Sequence, residues 1–247
     1  MTLVERNVTN YDTKFYKSFR ESSYSSAREI VPLILRLMPV GSVCDIGCGD
    51  GTWLRVFRDE GVADVLGIDG EYVAKDMLQI PADNFRAMDL RQGISLRRSF
   101  DLAISLEVAE HLPESRAVSF VEDLTRLAPV ILFSAAIPGQ GGRDHVNEQW
   151  QTYWTAIFAQ CGYVACDFLR PKIWKNRRIA YWYRQNALLF CDRRSIETIP
   201  ELASSPHSLR IPLVHPEQMS FPDAFRAAWI NAPTYAKHSL KRILKMH

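Results

Sequence analysis

Three glycines at alternate positions, Gly47, Gly49 and Gly51, separate a short apolar run from a helix-like pattern. The run Val43-Cys44-Asp45-Ile46 has the length and character of a buried strand and carries an acid near its end. The glycines give a tight turn whose bare backbone lets a ligand approach closely. Thr52-Trp53-Leu54 then opens a helix whose N-terminus stands behind the turn. A strand, a glycine turn and a helix in this order form a nucleotide-type ligand site at the end of a parallel strand. The spacing is G-x-G-x-G, not the G-x-G-x-x-G of dinucleotide-binding proteins, which disfavours a nicotinamide-dependent dehydrogenase.

The pattern downstream supports a doubly wound sheet. Val65 to Ile68, Asn84 to Met88, Phe100 to Ser105 and Val130 to Phe133 read as further strands, with Tyr163 to Phe168 and Ala187 to Phe190 as the last two. Between them, Ala117, Phe120, Val121, Leu124 and Leu127 repeat at helical spacing behind Pro113, a residue favoured at a first helical position. Trp150, Tyr153, Trp154, Ile157 and Phe158 form a second helical stripe. Ahead of the glycines, Ser26-Ala27-Arg28-Glu29 reads as a capping box opening a helix that contains Pro32 near its start. The organisation expected is an N-terminal helical cap over residues 1–40, an α/β core over 41–192 and a C-terminal extension over 193–247. Pro200, Pro206, Pro212, Pro216 and Pro222 punctuate that extension, which reads as loop-rich until a basic helical piece at Lys241-Arg242-Ile243-Leu244-Lys245.

Composition narrows the function. With 247 residues, 47% of them hydrophobic, the chain can bury a full core. A formal net charge of +2 provides no global basic field of the kind nucleic-acid binders use, so a nucleic-acid partner is disfavoured. The five cysteines (44, 48, 161, 166 and 191) are scattered and show no metal-binding spacing, so they are expected to be reduced. The polar opening Met1 to Asn10 lacks the apolar core of a signal peptide, and no apolar run reaches membrane-spanning length. A cytoplasmic protein is expected. The terminal basic helix is a candidate for peripheral contact with an anionic membrane.

Acids fall where three strands should end: Asp45 (or Asp50), Asp69 and Asp89. Asp69 follows the glycine turn by about 20 residues, where a carboxylate grips ribose hydroxyls. A carboxylate suits a vicinal diol because both oxygens accept. Asp89 can accept from an adenine amino group, with Met88 and Leu90 against the ring, and Asp45 can face an ammonium.

The glycine motif, Leu66-Gly67-Ile68-Asp69 and the segment from Phe100 to Pro113 together resemble the class I S-adenosylmethionine-dependent methyltransferases. The resemblance covers roughly residues 10–192. It implies a mostly parallel seven-stranded sheet whose last-but-one strand in space is antiparallel, with S-adenosylmethionine as cofactor. It places Asp45, Gly47, Cys48, Gly49, Asp69, Gly70, Met88, Asp89, Leu90 and Leu106 around that cofactor, with Leu106 and Glu107 bordering its methionine part.

An alcohol acceptor needs its proton removed as the methyl bond forms, so a base or a metal should be visible. His111 follows the fourth strand. His145 lies in Pro138-Gly139-Gln140-Gly141-Gly142-Arg143-Asp144-His145-Val146-Asn147-Glu148, a polar, glycine-rich loop over the active end. This block, with Phe133 to Ile137 and Trp182 to Asn186, is similar to a bacterial subgroup of these enzymes acting in surface polysaccharide and glycolipid synthesis. That resemblance implies a carbohydrate or nucleotide-sugar hydroxyl as acceptor. The place of the loop makes His145 the candidate base, with His111, Glu107 and Glu148 as orienting groups. Two alternatives stand beside it. Glu107, Glu110 and His111 at i, i+3 and i+4, joined by His145, offer ligands for one divalent ion and resemble the set of small-RNA ribose 2′-O-methyltransferases. A non-catalytic cofactor-binding partner is the other. The basic, aromatic stretch from Arg170 to Arg184 is a candidate to stack on a sugar and neutralise phosphate.

Overall fold

A computed structural model describes residues 10–204 and 213–218. The strands are β1 (Ser42–Ile46), β2 (Asp64–Asp69), β3 (Phe85–Ala87), β4 (Leu102–Leu106), β5 (Val130–Ser134), β6 (Val164–Cys166) and β7 (Leu188–Cys191). They form one sheet in the order β3-β2-β1-β4-β5-β7-β6. The first five in that order pair in parallel, with Cys44 opposite Leu66 on one side and Ala103 on the other. β7 runs antiparallel to both β5 and β6, so the strand one in from the edge is the reversed one. The order turns back at β1, and the crevice beyond the C-terminal ends of β1 and β4 is the ligand position of such sheets.

Strand alternation divides the core into two layers. Val43, Val65, Leu102, Val130 and Leu189 face helices α1 (Asn10–Leu37) and α2 (Thr52–Asp59). Cys44, Ile46, Leu66, Ile131 and Phe133 face α3 (Ala117–Leu127) and α4 (Gln151–Gln160). In the second layer Phe158 stacks on Phe190 with ring centroids 3.8 Å apart, and Phe133 meets Trp154 at 5.2 Å. Each fully buried side chain of this size contributes about 1.5–3 kcal/mol.

The N-terminal helix differs from the expected one. Ser26 does not open it but sits in its interior, donating its hydroxyl to the Ser22 carbonyl at 2.7 Å and accepting from the Ala180 N–H at 3.0 Å. Pro32 lies late in the same helix. The apolar side formed by Ala27, Ile30, Val31 and Ile34 is fully buried, and this burial outweighs the weak start signal of one serine. Pro113 likewise precedes a 3-10 turn, Glu114–Arg116, and α3 begins only at Ala117.

Directly beyond Asp192, where a loop-rich segment is expected, the described residues 193–204 are mostly helical. Asp192 caps a short helix α7 (Arg193–Thr198) by accepting the Ser195 N–H at 2.7 Å, and α8 (Pro200–Ala203) follows. Their connection to β7 follows two further short helices, α5 (Arg170–Ile173) and α6 (Tyr181–Asn186), in the excursion between β6 and β7. The chain divides into two units, Met1–Leu213 and Val214–His247. In the second, the Gln218 N–H closes a turn on the His215 carbonyl at 2.9 Å. The basic piece around Lys241 lies outside the described residues. Among those described, no helix is long and apolar enough to cross a membrane, and the five cysteines are free thiols.

Candidate active site

The glycine turn follows β1 as expected, and its hydrogen bonds limit what it can bind. The N–H groups of Gly47 and Cys48 both donate to the Ile68 carbonyl, at 2.8 and 3.2 Å. The Gly49 N–H donates to Asp69 Oδ2 at 2.7 Å, and the Gly51 N–H to the Cys48 carbonyl at 2.9 Å. Asp50 Oδ1 accepts the first free donor of α2, the Thr52 N–H, at 3.1 Å. Four N–H groups of the turn and that of Thr52 are therefore spent on the protein itself, which weakens the turn as an anion cradle.

The glycines are required for two different reasons. Gly47 has φ +84°, and a Cβ there would lie 2.3 Å from Val108 Cγ2, so packing forbids a side chain. Gly49 has φ +53° and nothing within 4 Å of where its Cβ would be. Open space in front of Gly49 is where a ligand can lie against the backbone. The Cys48 thiol instead turns inward, with Sγ 2.7 Å from the position a Gly67 Cβ would take.

Three carboxylates surround this space. Asp45 is 3% exposed and no hydrogen bond from a described residue reaches its carboxylate. Its pKa is raised well above the ordinary range, first by burial and then by repulsion from Asp69 and Asp50. Asp50 also holds Arg20 of α1 at 2.5 Å. A buried acid among like charges is relieved by a cationic ligand. The ammonium and sulfonium of S-adenosylmethionine have that charge, and the molecule carries no phosphate, so the residues present fit it. Gly70 follows Asp69 directly, Leu106 ends β4, and Leu90 is buried with Met88 packed beside it. Asp89 stands apart: its exposed carboxylate is held by the Arg91 guanidinium at 2.8 and 2.9 Å, which lowers its pKa.

The acceptor side is built from β4, β5 and the loop after β5. Glu107 takes a left-handed φ of +57°, and its N–H donates to the Ser134 carbonyl at 3.0 Å. That turn aims its carboxylate at two amides, Gln140 Nε2 at 2.6 Å and Asn186 Nδ2 at 3.2 Å. Burial raises its pKa, opposed by these hydrogen bonds and by the charge of His145. A non-glycine residue held in this region is costly and persists only where its surroundings dictate it.

Glu148 fastens the glycine-rich loop. It accepts the Gly139 N–H at 2.8 Å, the Gly141 N–H at 2.9 Å and His145 Nδ1 at 2.9 Å. With Nδ1–H donated to a carboxylate, Nε2 of His145 carries the lone pair. A Cβ on Gly142 would lie 2.2 Å from that Nε2, so only glycine lets the ring pack against the loop backbone there. The His111 ring meets the His145 ring edge-on at 4.9 Å and places Nδ1 3.3 Å from the Asp144 carbonyl. Burial, then the charge of His145, lowers the His111 pKa, which favours its neutral form.

Glu107 does not join the histidines as helical spacing suggested. Residues Ala109–His111 form a 3-10 turn and Glu107 lies in the left-handed bend before it. The group that does converge is Glu110, His111 and His145, whose potential ligand atoms all lie within 4.8 Å of one another. Glu110 is fully buried, neither carboxylate oxygen has a hydrogen-bond partner, and burial followed by the charge of Glu107 raises its pKa well above normal.

The basic stretch between β6 and β7 is largely structural. Arg170 is buried and pairs with Asp167 at 2.6 and 2.8 Å, Arg178 pairs with Glu29 at 2.9 Å, and Arg184 donates to the Trp174 carbonyl at 3.2 Å. The exposed charges of the segment are Lys172, which lies over the Phe168 ring, Lys175, Arg177 and the paired Arg178. Gln140 and Asn186, the partners of Glu107, carried no sequence signal beyond lying in the segments that resemble the glycan-modifying subgroup.

The seven-stranded order with its reversed penultimate strand and a glycine turn after β1 defines a class I, Rossmann-like methyltransferase fold. Residues 16–158 match the family described as a methyltransferase domain, and the chain belongs to it. It is thus an S-adenosylmethionine-dependent methyltransferase. No curated protein matches the chain. Among solved structures it is similar to the sugar N-methyltransferase KedS8 from a Streptoalloteichus species, at 15% identity and TM-score 0.58, over 78% of this chain and 99% of that one. It is also similar to S-adenosylmethionine-bound CalS10, an amino pentose methyltransferase from Micromonospora echinaspora, at 17% identity and TM-score 0.53, over 76% and 98%. A match to DesVI from Streptomyces venezuelae, at 23% identity and TM-score 0.43, covers 55% of this chain and 61% of that one. At these identities the likenesses to KedS8 and CalS10 bear on the fold alone.

Proposed function

We propose that this protein methylates a hydroxyl of a carbohydrate, free, nucleotide-linked or lipid-linked, with His145 as the base. The observation that carries the reading is the His145–Glu148 pair at 2.9 Å, fixed in the glycine loop beyond β5, which leaves Nε2 as the nitrogen to accept a proton. S-adenosylmethionine supplies an activated methyl group, so the protein's work is alignment, exclusion of water and removal of one proton. Asp45 faces the donor's ammonium and Asp69 its ribose. The turn at Cys48–Gly49, with Gly70, Met88, Leu90 and Leu106, lines the remainder, and Asp89 reaches the adenine on release from Arg91. As the acceptor oxygen–carbon bond forms, the sulfur–carbon bond breaks to leave a neutral thioether, and the hydroxyl proton passes to His145 Nε2. Glu148 stabilises the imidazolium, while His111 and Glu107 orient the acceptor. The sugar-directed activities in the descriptions of KedS8 and CalS10 support a carbohydrate acceptor.

Labelled donor incubated with fractionated glycan and nucleotide-sugar acceptors tests the substrate class. His145→Ala is expected to lower kcat by about 10²–10⁴ while changing affinity for S-adenosylhomocysteine by less than about twofold. Retained turnover would end the base assignment.

A second reading rests on Glu110. A fully buried carboxylate with no hydrogen bond, beside two imidazoles whose Nδ1 atoms are engaged elsewhere, fits a divalent cation held by Glu110, His111 and His145. Activity that survives exhaustive chelation would exclude it.

A further inference from the structure

The Asp69 carboxylate already has a visitor. Its Oδ2 accepts the Gly49 N–H at 2.7 Å; its Oδ1 accepts both the Gly70 N–H at 2.7 Å and the hydroxyl of Tyr72. A carboxylate has about four lone-pair positions, two on each oxygen. Oδ1 is therefore full, and Oδ2 has one position left. A vicinal diol that binds both oxygens needs one position on each. The two backbone donors cannot leave without dismantling the turns at Gly49 and Gly70. The Tyr72 hydroxyl is the one donor of the three carried on a rotatable side chain.

Nothing heavy holds that side chain in place. Tyr72 is 82% exposed, the most exposed large apolar or aromatic residue among those described. One edge of its ring lies against Gly70, where an added Cβ would stand 2.2 Å from Cε1 and 2.5 Å from Cδ1. Gly70 is thus the residue that lets the ring come this close and the hydroxyl reach Asp69. A short turn, closed by the Val73 N–H on the Gly70 carbonyl at 3.1 Å, sets the reach. Rotation about the tyrosine side-chain bonds frees Oδ1 with almost no loss of buried surface.

We propose that Tyr72 is a tethered stand-in for the donor's ribose: its hydroxyl occupies Asp69 Oδ1 in the free protein and yields it to a ribose hydroxyl when S-adenosylmethionine binds. The proposal rests on the assignment of Asp69 to the ribose. It makes Tyr72 a specificity-determining residue. Ligands with a complete diol displace it; ligands without one leave it in place. The tether also keeps the buried acid hydrogen-bonded before the donor arrives, and this lowers the affinity for the donor.

Calorimetry on the full chain tests this with Tyr72→Phe, which keeps the ring and any contact it makes with adenine and removes only the hydroxyl. S-adenosylhomocysteine is expected to bind Tyr72→Phe about three- to tenfold more tightly than wild type, the removal of one competing hydrogen bond. The 2′,3′-dideoxy analogue of the same ligand is expected to bind both proteins equally, because it does not ask Tyr72 to leave. Equal or weaker binding of S-adenosylhomocysteine by the variant would overturn the proposal, as would an equal gain for both ligands. If wild type binds S-adenosylhomocysteine and the variant merely matches it, Tyr72 loses its role and the donor site stands. If neither folded protein binds it, the donor site itself falls, and Tyr72 with it.

Discussion

Replacing Gly49 by alanine separates folding from donor binding. The position has φ +53° and open space where the Cβ would go, so the fold bears only the strain of a left-handed alanine, about 1–2 kcal/mol. For a chain of this size that lowers Tm by about 2–8 °C. The same methyl group occupies the space against which the donor should lie. Wild type with S-adenosylhomocysteine at 100 times its Kd gains about 2.7 kcal/mol, a shift of about 5–11 °C; Gly49→Ala should show little of it. Gly47→Ala is the contrasting control. It adds a clash with Val108, at 2.3 and 2.8 Å, to the same strain, for a total of about 2–5 kcal/mol. Val108→Ala in the same chain should recover the clash portion. Thermal melts with and without ligand, followed by calorimetry, read all four proteins. Full affinity in Gly49→Ala would refute the location of the donor, and a failure of Val108→Ala to help Gly47→Ala would refute the packing argument.

Two further changes probe the buried charges. Glu110 has a native pKa above that of the unfolded chain, so protons are released on unfolding and its destabilising effect grows as pH rises from about 4.3 toward the raised native value. Glu110→Gln, which leaves Glu107, His111 and His145 as the neighbouring titratable groups, should therefore raise Tm at pH 8 and match wild type near pH 4; a pH-independent difference would contradict this. Asp123 is 2% exposed, pairs with Arg116 and Arg126 and accepts the Ile94 N–H at 2.9 Å. Asp123→Ala should cost about 3–5 kcal/mol in denaturant unfolding, since it leaves a buried arginine unpaired, and a loss below 1 kcal/mol would show that water reaches the pair.

The sheet was legible because its signals are local: β1, β2, β4 and β5 each show a short apolar run, and the glycine turn marks which end binds. The helix around Ser26 was misread because a start motif of four residues looks the same in the middle of a long helix. Spacing also misplaced Glu107. Counting i, i+3 and i+4 presumes an α-helix, and a left-handed residue followed by a 3-10 turn sends the side chain elsewhere. Its partners Gln140 and Asn186 lie 33 and 79 residues away, in a loop and at the end of a short helix, where only tertiary packing brings amides to an acid. The basic stretch read as a binding surface because sequence cannot show that Asp167 and Glu29 already neutralise two of its arginines.

The reversed strand β7 has one more effect. Because it runs against its neighbours, the segment that precedes it, rather than the one that follows, emerges on the ligand side, and Asn186 arrives there ahead of Leu188. The excursion from Asp167 to Ala187 is anchored in the core by Ile173, Ile179 and Tyr183 and still delivers one amide to the ligand side, far along the chain from β1, β2 and their acids. Two distant stretches of sequence thus meet over one end of the sheet, each held by its own packing.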